Sequence, residues 1–275
     1  MPTQTKYHPN FRLEKWFLDC VTEEGNCFII YASELIWNKW RITFSSVLNY
    51  HISNGVFYKS KIGNAHFPEK INREISWRDK YFKINGTWKG KSEPLHETIF
   101  ENKTGCLEWN CYQPLSNVCI NFNKNKFDGF GYVEKLTLNT VPWNIPMDEL
   151  RWGRFLSKKF HIVWIEYKRE QINQWVWVNG EKIENWDICD SYLYNNFKQI
   201  RLLFGQKTVL EKEKKILNVL KSLAKYLPGF RRIIPSKFLY SDEKKWLNKS
   251  VLTINDKIVC HGWSIHEFVN FNVDR

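Results

Sequence analysis

The chain has 275 residues, 43% of them hydrophobic and 25% charged, and carries a formal net charge of +12. That length and apolar content suit one large β domain or two modest ones, and exclude a chain too polar to build a core. A basic surface can attract nucleic acid, anionic lipid or acidic substrates. Here the lysines are spread along the sequence and no RNP, zinc-finger or helix-turn-helix pattern accompanies them. The charge therefore reads mainly as a solvated surface; no nucleic-acid partner is expected, and a membrane surface is the next option.

The opening, MPTQTKYHPNFRLEKWF, has no apolar h-region, and no apolar run is long enough to span a membrane. The seven cysteines, at 20, 27, 106, 111, 119, 189 and 260, form no CxxC pair and match no zinc spacing. The expectation is a cytoplasmic protein with reduced thiols, whose sequons at Asn85, Asn102 and Asn248 carry no glycan. Aromatic residues are abundant, with 14 Trp, 12 Tyr and 19 Phe. Trp and Tyr suit walls that hold flat or extended apolar ligands, and equally the cores of β-rich domains.

In chain order, GNCFIIYASEL, WRITFSSVLNYHI, YFKINGTWKG, SNVCINFN, HIVWIEYK and QWVWVNGEKI read as strands divided by Gly, Asn, Asp and Lys turns. The Asn-Gly pairs at Asn85-Gly86 and Asn179-Gly180 are expected as two-residue hairpin turns. Short strands at close spacing predict antiparallel sandwiches or barrels. One segment departs from this pattern. Residues 209–227, VLEKEKKILNVLKSLAKYL, place Val209, Ile216, Leu220, Leu223 and Leu227 on one helical face and Lys214, Lys221 and Lys225 opposite, before Pro228-Gly229. This predicts an amphipathic helix packed on the side of a barrel; a basic helix touching a membrane surface is the alternative.

A faint internal echo links WFLDCVTEEGNCFIIY (Trp16 to Tyr31) with WGRFLSKKFHIVWIEY (Trp152 to Tyr167), as expected of two related β domains. The linker is expected near NTVPWNIPMDELRW, where Pro142 and Pro146 interrupt strand pairing. The predicted domains are 1–140 and 141–275.

No Walker or dinucleotide-binding glycine loop, GxSxG elbow or HExxH occurs. His261 and His266, in HGWSIHEF, fall on opposite faces of a strand, a poor arrangement for a shared metal. What remains is a constellation between 107 and 155. In DGFGYVEKLTL, Tyr132 and Glu134 share a strand face with Leu136 and Leu138, so a carboxylate stands among apolar groups. Trp109 lies upstream in LEWNCYQP, and Trp143 and Trp152 follow.

These residues resemble those of the carotenoid hydratases (hydroxyneurosporene synthases), within a wider superfamily of two-domain lipocalin-like proteins that includes AttH-like proteins and fungal Diels–Alderases. The family's Gly-Tyr-x-Asp is matched by Gly131-Tyr132-Val133-Glu134, with Glu in place of Asp, and its upstream Trp by Trp109 ahead of Pro114. The opening EKWFLDCVTEEGNCFIIYASEL is similar to the superfamily's N-terminal pattern. The resemblance covers most of the chain at low density. It implies an all-β fold of two lipocalin-like antiparallel barrel or sandwich domains. It also implies Trp109, Tyr132 and Glu134 as the catalytic trio, and a cofactor-independent hydro-lyase acting on an apolar polyene or isoprenoid. Trp143, Trp152 and Arg154 are the candidate substrate-binding residues. No metal or other cofactor is expected, and the expected partner is an apolar small molecule.

The trio has a physical rationale. A carboxylic acid among apolar groups stays protonated, because desolvation disfavours its ionised form. Indole and phenol faces favour a nearby cation. The competing arrangement pairs Glu134 with Arg151 or Arg154 and makes the same residues an interdomain clasp. A cyclase that works mainly by shaping its substrate, and a non-catalytic lipophilic carrier, are the other readings.

Overall fold

The computed structural model describes residues 11–212 and 241–271. Contacts divide the chain into two compact units, Met1–Ile145 and Pro146–Arg275.

The first unit runs β1 (Phe11–Val21), β2 (Cys27–Trp37), β3 (Trp40–His51), β4 (Gly55–Ile62), β5 (Glu69–Ile71), β6 (Glu74–Asp79), β7 (Ile84–Gly90), β8 (Leu95–Asn102), β9 (Gly105–Phe122) and β10 (Asn125–Leu138). All pairings are antiparallel, in the order β4-β3-β2-β1-β10-β9-β7-β6-β5, with β8 paired to the upper half of β9. Val47 of β3 and Ile75 and Trp77 of β6 stand near opposite ends of this order, yet belong to one apolar cluster with Leu18, Phe28, Ile30, Trp88, Ile120 and Val133. The sheet therefore curls around its core, as strand twist favours. Its β4 edge meets the β6–β7 turn through side chains: Lys61 Nζ lies 2.6 Å from Asp79, and Lys59 Nζ sits 3.9 Å from the centre of the Tyr81 ring.

The second unit runs β11 (Glu149–Leu156), β12 (His161–Lys168), β13 (Ile172–Val178), β14 (Glu181–Lys182), β15 (Trp186–Ile188), β16 (Tyr192–Asn195), β17 (Ile200–Lys212), β18 (Asp242–Ile254) and β19 (Lys257–Asn270). Its order, β14-β13-β12-β11-β19-β18-β17-β16-β15, repeats the plan of the first: the opening strand lies between the second strand and the last. Val176 and Val178 of β13 share a cluster with Trp186 and Ile188 of β15, again across the ends of the sheet. Gln174 donates to the Trp186 carbonyl at 3.0 Å there. The two hairpins of the sequence echo, β1–β2 and β11–β12, occupy equivalent places. Their tryptophans do not: Trp16 packs on its unit's core cluster, whereas Trp152 alternates with Phe155 and faces the other way.

The all-β architecture of two curled antiparallel sheets is the one expected. Among the described residues the only helical turn is the one-turn 3-10 segment Pro142–Asn144. Of the helix expected over 209–227, residues 209–212 are instead the end of β17, where Val209 pairs with Trp246 and Glu211 with Lys245; residues 213–227 lie outside the described residues. Strand pairing to β18 overrides the helical period at that point.

The two Asn-Gly pairs behave differently. Asn179-Gly180 forms the β13–β14 hairpin turn, with φ of 50° and 89°, as expected. Asn85-Gly86 lies inside β7, where Asn85 pairs with Arg78 on one side and Asn121 on the other. A Cβ on Gly86 would stand 2.5 Å from the Trp88 ring, so the glycine makes room for an indole rather than a turn.

Candidate active site

Alternation along β10 divides its side chains between two faces. Val133 joins the core cluster of the first unit, so Tyr132 and Glu134 project from the opposite face. That face is also dry: Tyr132 is fully buried and Glu134 is 5% exposed. Neighbouring strands supply the surroundings by the same alternation. Leu18 and Cys20 of β1 enter the core cluster, which turns Phe17 and Asp19 toward Tyr132 and Glu134. Phe28 and Ile30 do the same for β2 and leave Tyr31 on the site face. The rings of Tyr31 and Tyr132 flank Phe17 edge-on, with centroids 5.3 and 6.1 Å away.

The register of β9 brings in the third member. From Asn125 to Gly131, β10 pairs evenly with β9, ending with Gly131 opposite Ser116. Two irregularities follow, between Gly131 and Val133 and between Val133 and Glu134. Each absorbs one extra residue of β9, so Glu134 stands opposite Cys111 and Leu136 opposite Trp109. Pro114, which has no N–H to give to a ladder, lies within this stretch. Without the shift Trp109 would face Leu138, a further two residues from Glu134. With it, Trp109 is the diagonal neighbour of Glu134, within reach of a long side chain.

The outcome is a convergence on one atom. Trp109 donates its indole N–H to Glu134 Oε2, and the Tyr132 hydroxyl donates to the same oxygen at 2.6 Å. Trp109 is fully buried, as is Cys111, whose thiol is a neighbour of the Tyr132 hydroxyl. Burial holds the Tyr132 phenol well above its ordinary range, with its contacts to Cys111 and Glu134 adding to the rise, so it acts as a neutral donor. Burial likewise pushes the Cys111 thiol up, with Glu134 and Asp19 adding to the rise and the Tyr132 contact opposing it. That thiol is therefore protonated and a weak nucleophile.

The remaining expected residues stand on other elements. Trp143 is half-buried on the 3-10 turn, its ring 5.9 Å from that of Trp37. Trp152 and Arg154 are buried on β11 of the second unit, where Arg154 donates to the Trp263 carbonyl at 2.9 Å. Arg151 places its guanidinium on Asp190, 3.7 Å from Glu166, and over the Phe268 ring. Sequence reasoning missed Asp19, Phe17 and Cys111. Cys111 could have been found, because it follows Trp109 by two residues on one strand. Asp19 carries a weaker signal, a carboxylate set between Phe17-Leu18 and Cys20-Val21. Among the described residues no group of three or more His, Cys, Asp and Glu side chains is placed to hold a metal, and no helix is long and apolar enough to cross a membrane.

No protein-family model matches the sequence, and no curated protein matches it. Solved structures do. Kievitone hydratase from Nectria haematococca superposes with a TM-score of 0.54 at 9% identity, covering 95% of this chain and 90% of that one. An AttH-type protein from Nitrosomonas europaea superposes with a TM-score of 0.53 at 9% identity, covering 100% and 99%. The chain shares the fold of these two structures. At this identity the likeness is one of fold, and function has to be argued from the site.

Proposed function

We propose that this protein is a cofactor-independent enzyme that protonates and hydrates an isolated C=C bond of an apolar polyene or isoprenoid. The observation that carries this reading is the convergence of Trp109 N–H and Tyr132 O–H on a single oxygen of a buried Glu134. With Oε2 accepting both bonds, a proton on this carboxyl is carried by Oε1. A carboxylic acid held in one orientation in a water-poor site is suited to proton delivery.

Transfer of that proton to the less substituted alkene carbon leaves a tertiary cation. The electron-rich faces of Trp109, Tyr132, Tyr31 and Phe17 favour positive charge beside them. Water then bonds to the cationic carbon and gives up a proton to a carboxylate of the site, which leaves a tertiary alcohol and restores the acid. Kievitone hydratase supplies a precedent for a hydratase on this fold.

The test is incubation of lycopene, dispersed in detergent, with wild-type protein and with Glu134→Gln, followed by liquid chromatography and mass spectrometry. The expected result is an alcohol one water heavier than the substrate from wild type and none from the variant. Equal yields from both proteins would sink the proposal. An isomer of unchanged mass that survives Glu134→Gln would favour a shape-driven cyclase. Binding without product would favour a carrier.

A further inference from the structure

A second buried carboxylate stands on the same face. Asp19 is fully buried and lies on β1, whose register sets Phe17 opposite Glu134 and Leu18 opposite Val133. Continued by one residue, and resumed at Val21 opposite Phe130, this register puts Asp19 across from Tyr132. Asp19 and Glu134 are thus diagonal neighbours on adjacent strands, with Tyr132 between them. Diagonal pairs of this kind lie about 7–8 Å apart at Cα. The Asp19 carboxyl is also close enough to Cys111, the strand partner of Glu134, to perturb its thiol. The backbone of Asp19 is held independently: its carbonyl accepts the Trp88 indole N–H at 2.6 Å. The residue is therefore fixed from the core side while its side chain faces the site.

We propose that Asp19 is the ionised member of a carboxyl pair, the counter-charge to the carbocation and the base that takes the proton of the incoming water. This deepens the hydratase reading and rests on it. Two like groups sharing a dry site do not both ionise readily, which assigns one proton to the pair. Glu134 holds it on Oε1 and gives it to the alkene carbon. The π pair becomes the new C–H bond, and the neighbouring carbon becomes cationic opposite the Asp19 carboxylate. A water oxygen bonds to that carbon, and the proton it sheds goes to Asp19. Transfer of this proton to Glu134 restores the starting state. The sum is alkene plus water to alcohol, with no oxidant or reductant.

A stable mimic of the cation tests this whatever the natural substrate. The probes are protonated N,N-dimethyldodecylamine and its neutral counterpart dodecanol, with affinities measured by tryptophan fluorescence at neutral pH. Wild type should prefer the ammonium by about tenfold or more, as expected of one partly screened charge contact. Asp19→Asn should lose most of that preference while binding dodecanol as before, and Asp19→Glu should regain part of it. Glu134→Gln should keep the preference, because its carboxyl is the neutral member. If Asp19→Asn misfolds by circular dichroism, Asp19→Ser takes its place. A preference retained by the Asp19 variants, or absent from wild type, or no binding of either probe, overturns the assignment. Retention in both the Asp19 and Glu134 variants counts against Asp19 alone. Loss in Glu134→Gln with retention in Asp19→Asn would put the anion on Glu134, and the hydratase reading would fall as well.

Discussion

Replacing Glu134 by Gln separates the neutral-acid reading from the clasp through stability alone. The Gln amide oxygen can accept both bonds now made to Oε2 by Trp109 and Tyr132. Its NH2 group takes the place of an O–H on Oε1. If Glu134 is a neutral acid, the exchange preserves shape, donors and acceptors. Its stability cost should then stay within about 1 kcal/mol. If Glu134 is an anion in an ionic clasp, two charge-assisted bonds of roughly 1.5–3 kcal/mol each fall to neutral ones. Its cationic partner is also left buried and uncompensated, which typically costs about 3–5 kcal/mol. With Trp109 and Tyr132 fully buried, water is not at hand to soften the difference. Hydrogen exchange read by mass spectrometry on peptides of β9 and β10 measures the local opening free energy of both proteins. A loss above about 3 kcal/mol in Glu134→Gln would refute the neutral-acid reasoning.

Other expectations follow from the same geometry. Tyr132→Phe deletes one of the two donors to Oε2 and should cost about 1–3 kcal/mol in the same exchange measurement, because the acceptor it abandons is buried; no change would mean that the bond contributes nothing. In the second unit, Gly153→Ala would place a Cβ 2.2 Å from Trp164 and 2.7 Å from His266, and should lower stability by about 1–3 kcal/mol in thermal melting. Burial there also lowers the pKa of His266 to about 3 and of His161 to about 4. Both are depressed below the unfolded value, so each histidine stays neutral in the folded unit while the unfolded chain takes up a proton. Stability should therefore be complete above about pH 6.5 and fall as the pH drops toward the folded values, by about 1.4 kcal/mol per pH unit per histidine. Urea midpoints for the second unit at pH 7 and pH 5 check this, and equal midpoints would contradict it.

Much of the fold was legible because the strand period is local. β-branched and aromatic richness bounded by turn residues marked β12 in HIVWIEYK and β13 in QWVWVNGEKI, and Asn179-Gly180 marked the turn that follows β13. Where the sequence misled, a tertiary demand overrode a local preference. Gly86 yields its space to Trp88, and Val209 to Lys212 extend β17 against β18. The pairing of Tyr132 with Glu134 was legible because i and i+2 share a strand face. The contact of Trp109 with Glu134 depends on a two-residue shift in register, for which Pro114 is the only local trace. Asp19 needed the register of a third strand, and no spacing within one segment reveals it.

A hydratase of this kind requires a proton on Glu134 in the resting protein. Infrared difference spectroscopy between wild type and Glu134→Gln at neutral pH reads this directly. Wild type should show a protonated-carboxyl C=O band which the variant lacks. Loss of carboxylate stretching bands in its place would show Glu134 ionised and rule out a neutral acid at this position.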